Sequence, residues 1–379
     1  MSADVAIAVK DPSGPDQLQE QYFIASQWQL VWRKFRRHHL AVLGMSVLAV
    51  LYLVAVFAEF FAPYDKLLRN TDLRFAPPQR IRVFHEGRLT APFVYGYTTE
   101  RNLETFREEF TVDQSQRFRI GLFVRGGEYR LWGLFKSDLH FFGTRDEGGY
   151  VYLFGTERLG RDVLSRIVIA SRISLSVGLV GVFIAFILGC LLGGLSGYLG
   201  GWVDNVIQRV VEILISVPTI PLWLALSAAL PATWSIVAVY FGITVILSLI
   251  GWTGLARVVR GKLLELREAD FVLAARIAGK QELPIIRQHL LPSFASYLVV
   301  DISLRIPGMI LGETALSFLG FGIRPPAVSL GSLLIDSQNV ATLTTHPWML
   351  LPALLVIVIV LCFNFVGDGL RDSADPYHQ

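Results

Sequence analysis

The chain has 379 residues, of which 53% are hydrophobic and only 17% charged, with a mean hydropathy of +0.50; this is too apolar for an ordinary soluble domain and makes a membrane protein the first expectation. A formal net charge of +3, built almost evenly of both signs, excludes a strongly basic nucleic-acid-binding surface. No GxxxxGK(S/T) phosphate loop, HExxH or GxSxG occurs and the seven histidines are scattered, so neither an ATPase nor a membrane enzyme finds its catalytic set here.

The first thirty residues hold acids, prolines and glutamines without an apolar core, which predicts no cleavable signal peptide, and residues 1–38 are expected as a cytoplasmic segment. The basic run WRKFRRHH then precedes a first apolar stretch, Leu40 to Phe61, inside a predicted first span at 39–62. Residues 63–171 differ in character. Charges return, and RFRIGLFV followed by Gly126–Gly127 and EYRLWGLF alternates so that Phe118, Ile120, Leu122 and Val124 share a face, matched by Tyr129, Leu131 and Phe135. This predicts a β-hairpin turning at the two glycines, within a β-rich extracytoplasmic insertion. Its role is open between shielding the helices and docking a partner.

Five further spans are expected in a core at 172–367: about Ile173 to Trp202, Val206 to Leu230, Trp234 to Ala256, Ser293 to Leu319 and Trp348 to Val366. Pro218 and Pro221 should bend the third span. The fifth contains Asp301, Arg305 and Glu313. Both cysteines, Cys190 and Cys362, lie inside apolar runs with no metal or disulfide spacing and read as packing residues. Six spans starting inside leave both termini cytoplasmic, including the tail at 368–379. The loop between spans four and five carries Arg257, Arg260, Lys262, Arg267, Arg276, Lys280 and Arg287, against Arg324 alone before span six, which agrees with that direction.

Within the loop at 257–292, Phe271, Ala274, Ala275 and Ala278 fall on one helical face, opposite Asp270 and Arg276. Gly279 stands where a left-handed residue ends a helix, and Pro284 sits in the first turn of a second helix. Helix, glycine turn, helix is the pattern. An amphipathic hairpin lying on anionic lipid would share it.

Ala274, Ala275, Gly279, Leu291 and Pro292 together resemble the EAA loop of ABC-importer permeases, which implies a coupling helix seated on a cytoplasmic ATPase subunit. Leu273 stands where the usual glutamate would be, and His289 where isoleucine is common. FGTERLGRDVLSRI, with Gly155, Gly160, Arg161 and Asp162, is similar to the motif ahead of the second span in permeases of dipeptide, oligopeptide and nickel importers. GYLGGWVD (Gly200, Gly201, Asp204), ETALSFLGFG (Glu313, Gly320) and NFVGDGLRDSADP (Gly367, Asp368) resemble that branch's later signatures. The fold class implied is an all-α polytopic membrane protein with about six transmembrane helices of the ABC-importer permease type, in a bacterial inner membrane.

That resemblance implies a non-catalytic permease subunit of an ATP-driven importer, for peptides first and otherwise for nickel complexes or oligosaccharides. Its expected partners are ABC ATPase subunits that bind ATP and magnesium, a second permease subunit, an extracytoplasmic substrate-binding protein and membrane lipid. No cofactor or metal is expected on this chain, and no substrate-binding residue can be named. A gradient-driven secondary transporter is the competing class, and it would need a relay of acids across several spans. The acids here are scattered and mostly paired by spacing. Asp301 with Arg305 and Glu212 with Arg209 read as local pairs. Gly189, Gly193, Gly197 and Gly201 read as a helix-packing face in preference to a pore lining, Glu313 as a structural contact in preference to a gating or other functional acid, and Gly367, Asp368 and Arg371 as fixing the cytoplasmic helix end.

Overall fold

A computed structural model describes residues 27–374 apart from 86, 102, 104–107, 232, 281 and 286–293, and it is mostly helical with one small antiparallel sheet. The chain begins in α1 (Gln27–Phe35) and, after a basic turn, α2 (His39–Val56), which contains no acid, lysine or arginine. His38 caps α2 by accepting the Ala41 N–H on Nδ1 at 3.2 Å. A single turn, α3 (Ala58–Phe61), follows.

The sheet holds β1 (Arg82–His85), β2 (Arg88–Arg101), β3 (Glu108–Leu131) and β4 (Phe135–Thr144), each antiparallel to the one before. The expected hairpin turn at Gly126–Gly127 is not where the chain reverses. Both glycines run inside β3 at an irregularity between Arg125 and Tyr129, and the reversal comes at Trp132, Gly133 and Leu134, beside the pair Leu131–Phe135. The physical reason lies across the ladder. A Cβ on Gly126 would meet the His140 ring at 2.8 Å, and the Gly127 carbonyl faces His140 Nε2 at 3.0 Å. Gly126 makes room for an imidazole, whereas a Cβ on Gly127 would meet nothing within 4 Å.

Past the sheet, α4 (Val163–Leu199) runs 37 residues, about 55 Å, and stops at Gly200 with φ +62°. Next, α5 (Gly201–Ser216) and α6 (Thr219–Ala228) meet at a 91° bend across the Pro218 break, where the prolines are expected to act. The following helix, α7 (Ile236–Leu266), continues beyond Ala256 to carry Arg257, Arg260 and Lys262 on its last turns, residues expected in a loop. Two short helices, α8 (Asp270–Ile277) and α9 (Glu282–Ile285), precede α10 (Ala295–Phe318), α11 (Leu330–Leu333), α12 (Val340–Thr345) and α13 (Leu351–Ala374), the last extended by a 3-10 turn from Pro347.

Among the described residues, four helical segments are long and apolar enough to cross a bilayer: α2, α4, α7 and the stretch Pro347–Ala374. The bent α5–α6 pair makes a fifth if it counts as one span. The remaining expected span corresponds to α10, which carries Asp301, Arg305 and Glu313 and is not among them.

Leu175 of α4, Ile243 and Leu247 of α7, Ile310 of α10 and Ile359 of α13 are fully buried in one apolar core. Close approach of α4 to α7 depends on the glycine series. A Cβ on Gly193 would sit 2.5 Å from the Ala256 carbonyl oxygen, and one on Gly197 2.8 Å from that of Arg260. Gly201, the last of the series, lies past the end of α4 in open space. A second buried cluster joins Leu255, Val259 and Leu263 of α7 to Val272, Ala275, Ile285 and Leu298.

Candidate functional site

In the segment that follows α7, α8 keeps Val272 and Ala275 inside the second cluster while Phe271, Leu273, Ala274, Ile277 and Ala278 stay exposed. Ile277 is 89% exposed, an extreme value for a residue of its type. The predicted face of Phe271, Ala274, Ala275 and Ala278 is therefore split, with Ala275 alone turned inward. Burial follows Val272, whose larger apolar side chain joins the cluster that holds Leu263. Gly279 ends the helix as the spacing predicts: its φ is +76°, the Ala278 N–H donates to Ala274 O at 3.0 Å, and the Lys280 N–H reaches back to Ala275 O at 3.1 Å. Leu291, Pro292 and His289 lie outside the described residues.

The motif ahead of α4 folds into a charged knot. Gly155 and Gly160 both take left-handed φ values, +72° and +71°. At Gly160 any side chain would collide with the backbone of Asn70. The tight turn this allows brings Glu157 between two guanidinium groups: Arg161 Nε donates to its Oε1 at 2.7 Å, and Arg166 Nη1 lies 2.8 Å from its Oε2. Burial alone would raise the Glu157 carboxyl, but the Arg161 hydrogen bonds and the charges of Arg166 and Arg161 outweigh it and hold the group below the usual carboxylate range. Asp162 caps α4, its Oδ2 accepting the Ser165 N–H at 2.7 Å and the Ser165 hydroxyl at 2.6 Å. Its other oxygen is buried without a partner. Burial pushes the Asp162 carboxyl up to about 6 against the pull of Ser165.

The later motifs are joints between helices. Gly200 and Gly201, at φ +62° and +55°, turn the chain from α4 into α5, and Asp204 then meets Arg260 of α7 through two hydrogen bonds of 2.5 Å while accepting from Ser196. Glu313 is fully buried and accepts from Ser317 at 2.6 Å and from Ser174 of α4 at 2.8 Å, and Ser174 in turn accepts the Leu330 N–H. The acid thus ties α10, α4 and α11 together. Arg305 donates to Asp301 at 2.9 Å and to the Gly251 carbonyl at 3.1 Å, and Arg209 pairs with Glu212 at 3.0 Å. Gly320 closes α10 at φ +84°. In α13, Gly367 admits Leu304, whereas Asp368 and Arg371 remain exposed; the residue that meets α2 there is Gly369, against Ala41.

Sequence spacing alone missed the partners far apart in the chain. Ser317 stands one helical turn from Glu313 and was readable; Ser174 was not. The same holds for Arg172, which donates to the Ala55 carbonyl at 2.8 Å and to Glu59 at 2.6 Å and so fastens α4 to the end of α2. A cavity of about 180 Å³ beside Glu157, Arg166, Pro325 and Asp336 is too small for a drug-sized ligand. Among the described residues no group of His, Cys, Asp and Glu is arranged to hold a metal.

The family model described as binding-protein-dependent transport system inner membrane component matches residues 180–377, and that for the N-terminal TM domain of oligopeptide transport permease C matches residues 26–78. The dipeptide transport system permease protein DppC of Lactococcus lactis subsp. cremoris is 33% identical over 352 residues, covering 93% of this chain and 91% of that one. The oligopeptide transport system permease protein OppC of Haemophilus influenzae is 42% identical over 229 residues, 60% of this chain and 71% of its own. Among solved structures, the inward-facing MetNI methionine ABC transporter aligns with a TM-score of 0.43 at 22% identity, over 55% of this chain and 96% of that one. Matched across more than half of its length by the first of these families and along nearly all of it by the Lactococcus relative, the chain belongs to the binding-protein-dependent transport system inner membrane components, the permeases of ABC importers.

Proposed function

We propose that this chain is the permease subunit of a peptide importer, taking its ligand from an extracytoplasmic binding protein and its energy from ATPase subunits that hold ATP and magnesium in the cytoplasm. The relatives named for dipeptide and oligopeptide transport support the substrate class. The observation that carries the coupling role is α8: it is rooted in the α7 core through Val272 and Ala275, yet leaves Phe271, Ala274, Ile277 and Ala278 uncovered up to the left-handed Gly279. A rigid element with one buried and one open apolar face is what a partner subunit can hold differently in its two nucleotide states, and only such differential contact transmits closure.

In this reading α10 crosses as the sixth span with Asp301 and Arg305 paired and Glu313 held by the Ser317 and Ser174 hydroxyls, the sheet lies outside, and both termini and the 257–292 segment lie in the cytoplasm. Leu291 and Pro292 complete the docking segment, and a second permease subunit completes the translocation path. Gly155, Gly160, Arg161 and Asp162 shape the outer mouth. Gly200, Gly201, Asp204, Glu313, Gly320, Gly367 and Asp368 set the helix joints that move as the cavity changes sides.

Gly279→Val should abolish ATP-driven peptide uptake in reconstituted vesicles while the chain still inserts and assembles, because a β-branched residue resists left-handed φ by roughly 1–2 kcal/mol. Gly279→Asn, whose side chain tolerates that conformation, should keep most of the uptake. Wild-type uptake by the valine variant would sink the coupling role.

A further inference from the structure

We propose that the turn of the β3–β4 hairpin is a membrane anchor that sits in the lipid headgroup region beside the Val56 end of α2. The turn exposes Trp132, Leu134 and Phe135, with Leu134 at 74% exposure. Isolated apolar side chains on a surface need no explanation, but three together at a hairpin tip do.

Two observations identify lipid as the occupant. The tip is continuous with a surface whose composition already places it in the bilayer. Trp132 Nε1 donates to the Val56 carbonyl at 2.8 Å, its ring lies 5.9 Å from that of Phe57, and Val50, Leu53 and Val56 on α2 are exposed. Whatever surrounds those side chains surrounds the tip as well. The flanking charges also fit: Arg130 and Lys136, exposed Cα partners in the ladder, stand immediately behind the apolar turn. Aromatic rings at the boundary with basic side chains just above them are the pattern of a bilayer interface facing anionic headgroups.

The backbone carries an independent mark. Among the described residues three non-glycine positions take left-handed φ, and two of them, Phe123 and Trp132, are on this hairpin. Bulky residues rarely adopt that conformation. Here it turns both rings toward the end of the first span, with Phe123 6.2 Å from Phe60 and 5.8 Å from Phe141. The hairpin is thereby clamped to α2 and α3 at a fixed depth. The inference does not depend on the transported substrate or on α8.

The test uses the complete transporter in nanodiscs of phosphatidylethanolamine and phosphatidylglycerol. In a Cys190→Ala, Cys362→Ala background, a fluorophore is attached at Leu134→Cys or at Leu103→Cys, the latter near the opposite end of β3. Lipids bearing a nitroxide near the headgroup should quench most of the emission at position 134 and little at 103, while aqueous iodide should do the reverse. Equal quenching of both sites by iodide would put the turn in water and overturn the proposal. Shielding of position 134 from both quenchers until the partner subunits are stripped away would overturn it too, with protein as the occupant.

Discussion

Two neighbouring acids of one motif sit in opposite electrostatic situations. Glu157 is held ionised between Arg161 and Arg166, so its contribution to stability is present above the ordinary carboxylate range and is lost as pH falls through its lowered value. Asp162 behaves in the contrary sense. Its folded-state value is raised to about 6, so the folded protein binds the proton more tightly than the unfolded chain does. The stability this supplies is complete below about pH 4 and is lost as pH rises to about 6. Asp162→Asn keeps an oxygen to cap α4 but cannot ionise. Its melting temperature relative to wild type should therefore climb between those two pH values and level off above, by an amount equivalent to about 3 kcal/mol at most. A constant offset across that range would mean that Asp162 is solvated in the assembled transporter. Sequence spacing singled out Asp162 and Arg161, but not which acid would be paired. That follows from Arg166 swinging back to Glu157, a contact set by the turn at Gly160 rather than by helical periodicity.

Helices were more legible than strands, and glycine shows why. On α4 a four-residue repeat has one economical meaning, a groove for a second helix, and Gly189, Gly193 and Gly197 all face α7. Gly193→Val would place its Cβ 2.5 Å from the Ala256 carbonyl oxygen and should push the two backbones apart, costing about 1–3 kcal/mol as overpacking does. Thermal unfolding in detergent would register it, with Gly194→Val, where nothing lies within 4 Å, as the control. On β3 the same residue type misleads. Gly126–Gly127 has the local chemistry of a turn, but the cause of Gly126 is His140 on another strand. The real turn carries a tryptophan at φ +53°, which local propensity argues against. Local rules capture elements whose reasons are local. They miss a strand whose irregularities answer to a ring and to a helix end elsewhere. The extension of α7 past Ala256 is a related case, because Arg257, Arg260 and Lys262 read as the end of a span when they mark only the end of its apolar part.

For the whole molecule, apolar runs and the asymmetry of lysine and arginine were enough to predict direction, and the prediction can be checked. A membrane-impermeant maleimide should label Glu147→Cys, on the exposed turn after β4, in intact spheroplasts, and Asp372→Cys only after permeabilisation; labelling in the opposite order would invert the topology. What the sequence could not supply was how the two ends of the molecule are joined. One element does this. At about 55 Å, α4 is nearly twice as long as a bilayer core is thick. Near one end it bears the Glu157 knot, and near the other Gly193 and Gly197 lock it to the α7 helix that roots α8. A pivot of only about 5° around the middle of such a rod carries its ends roughly 2 Å in opposite directions. If the rod tilts as a unit, the surfaces at its two ends share one lever arm, and reshaping one tilts the other.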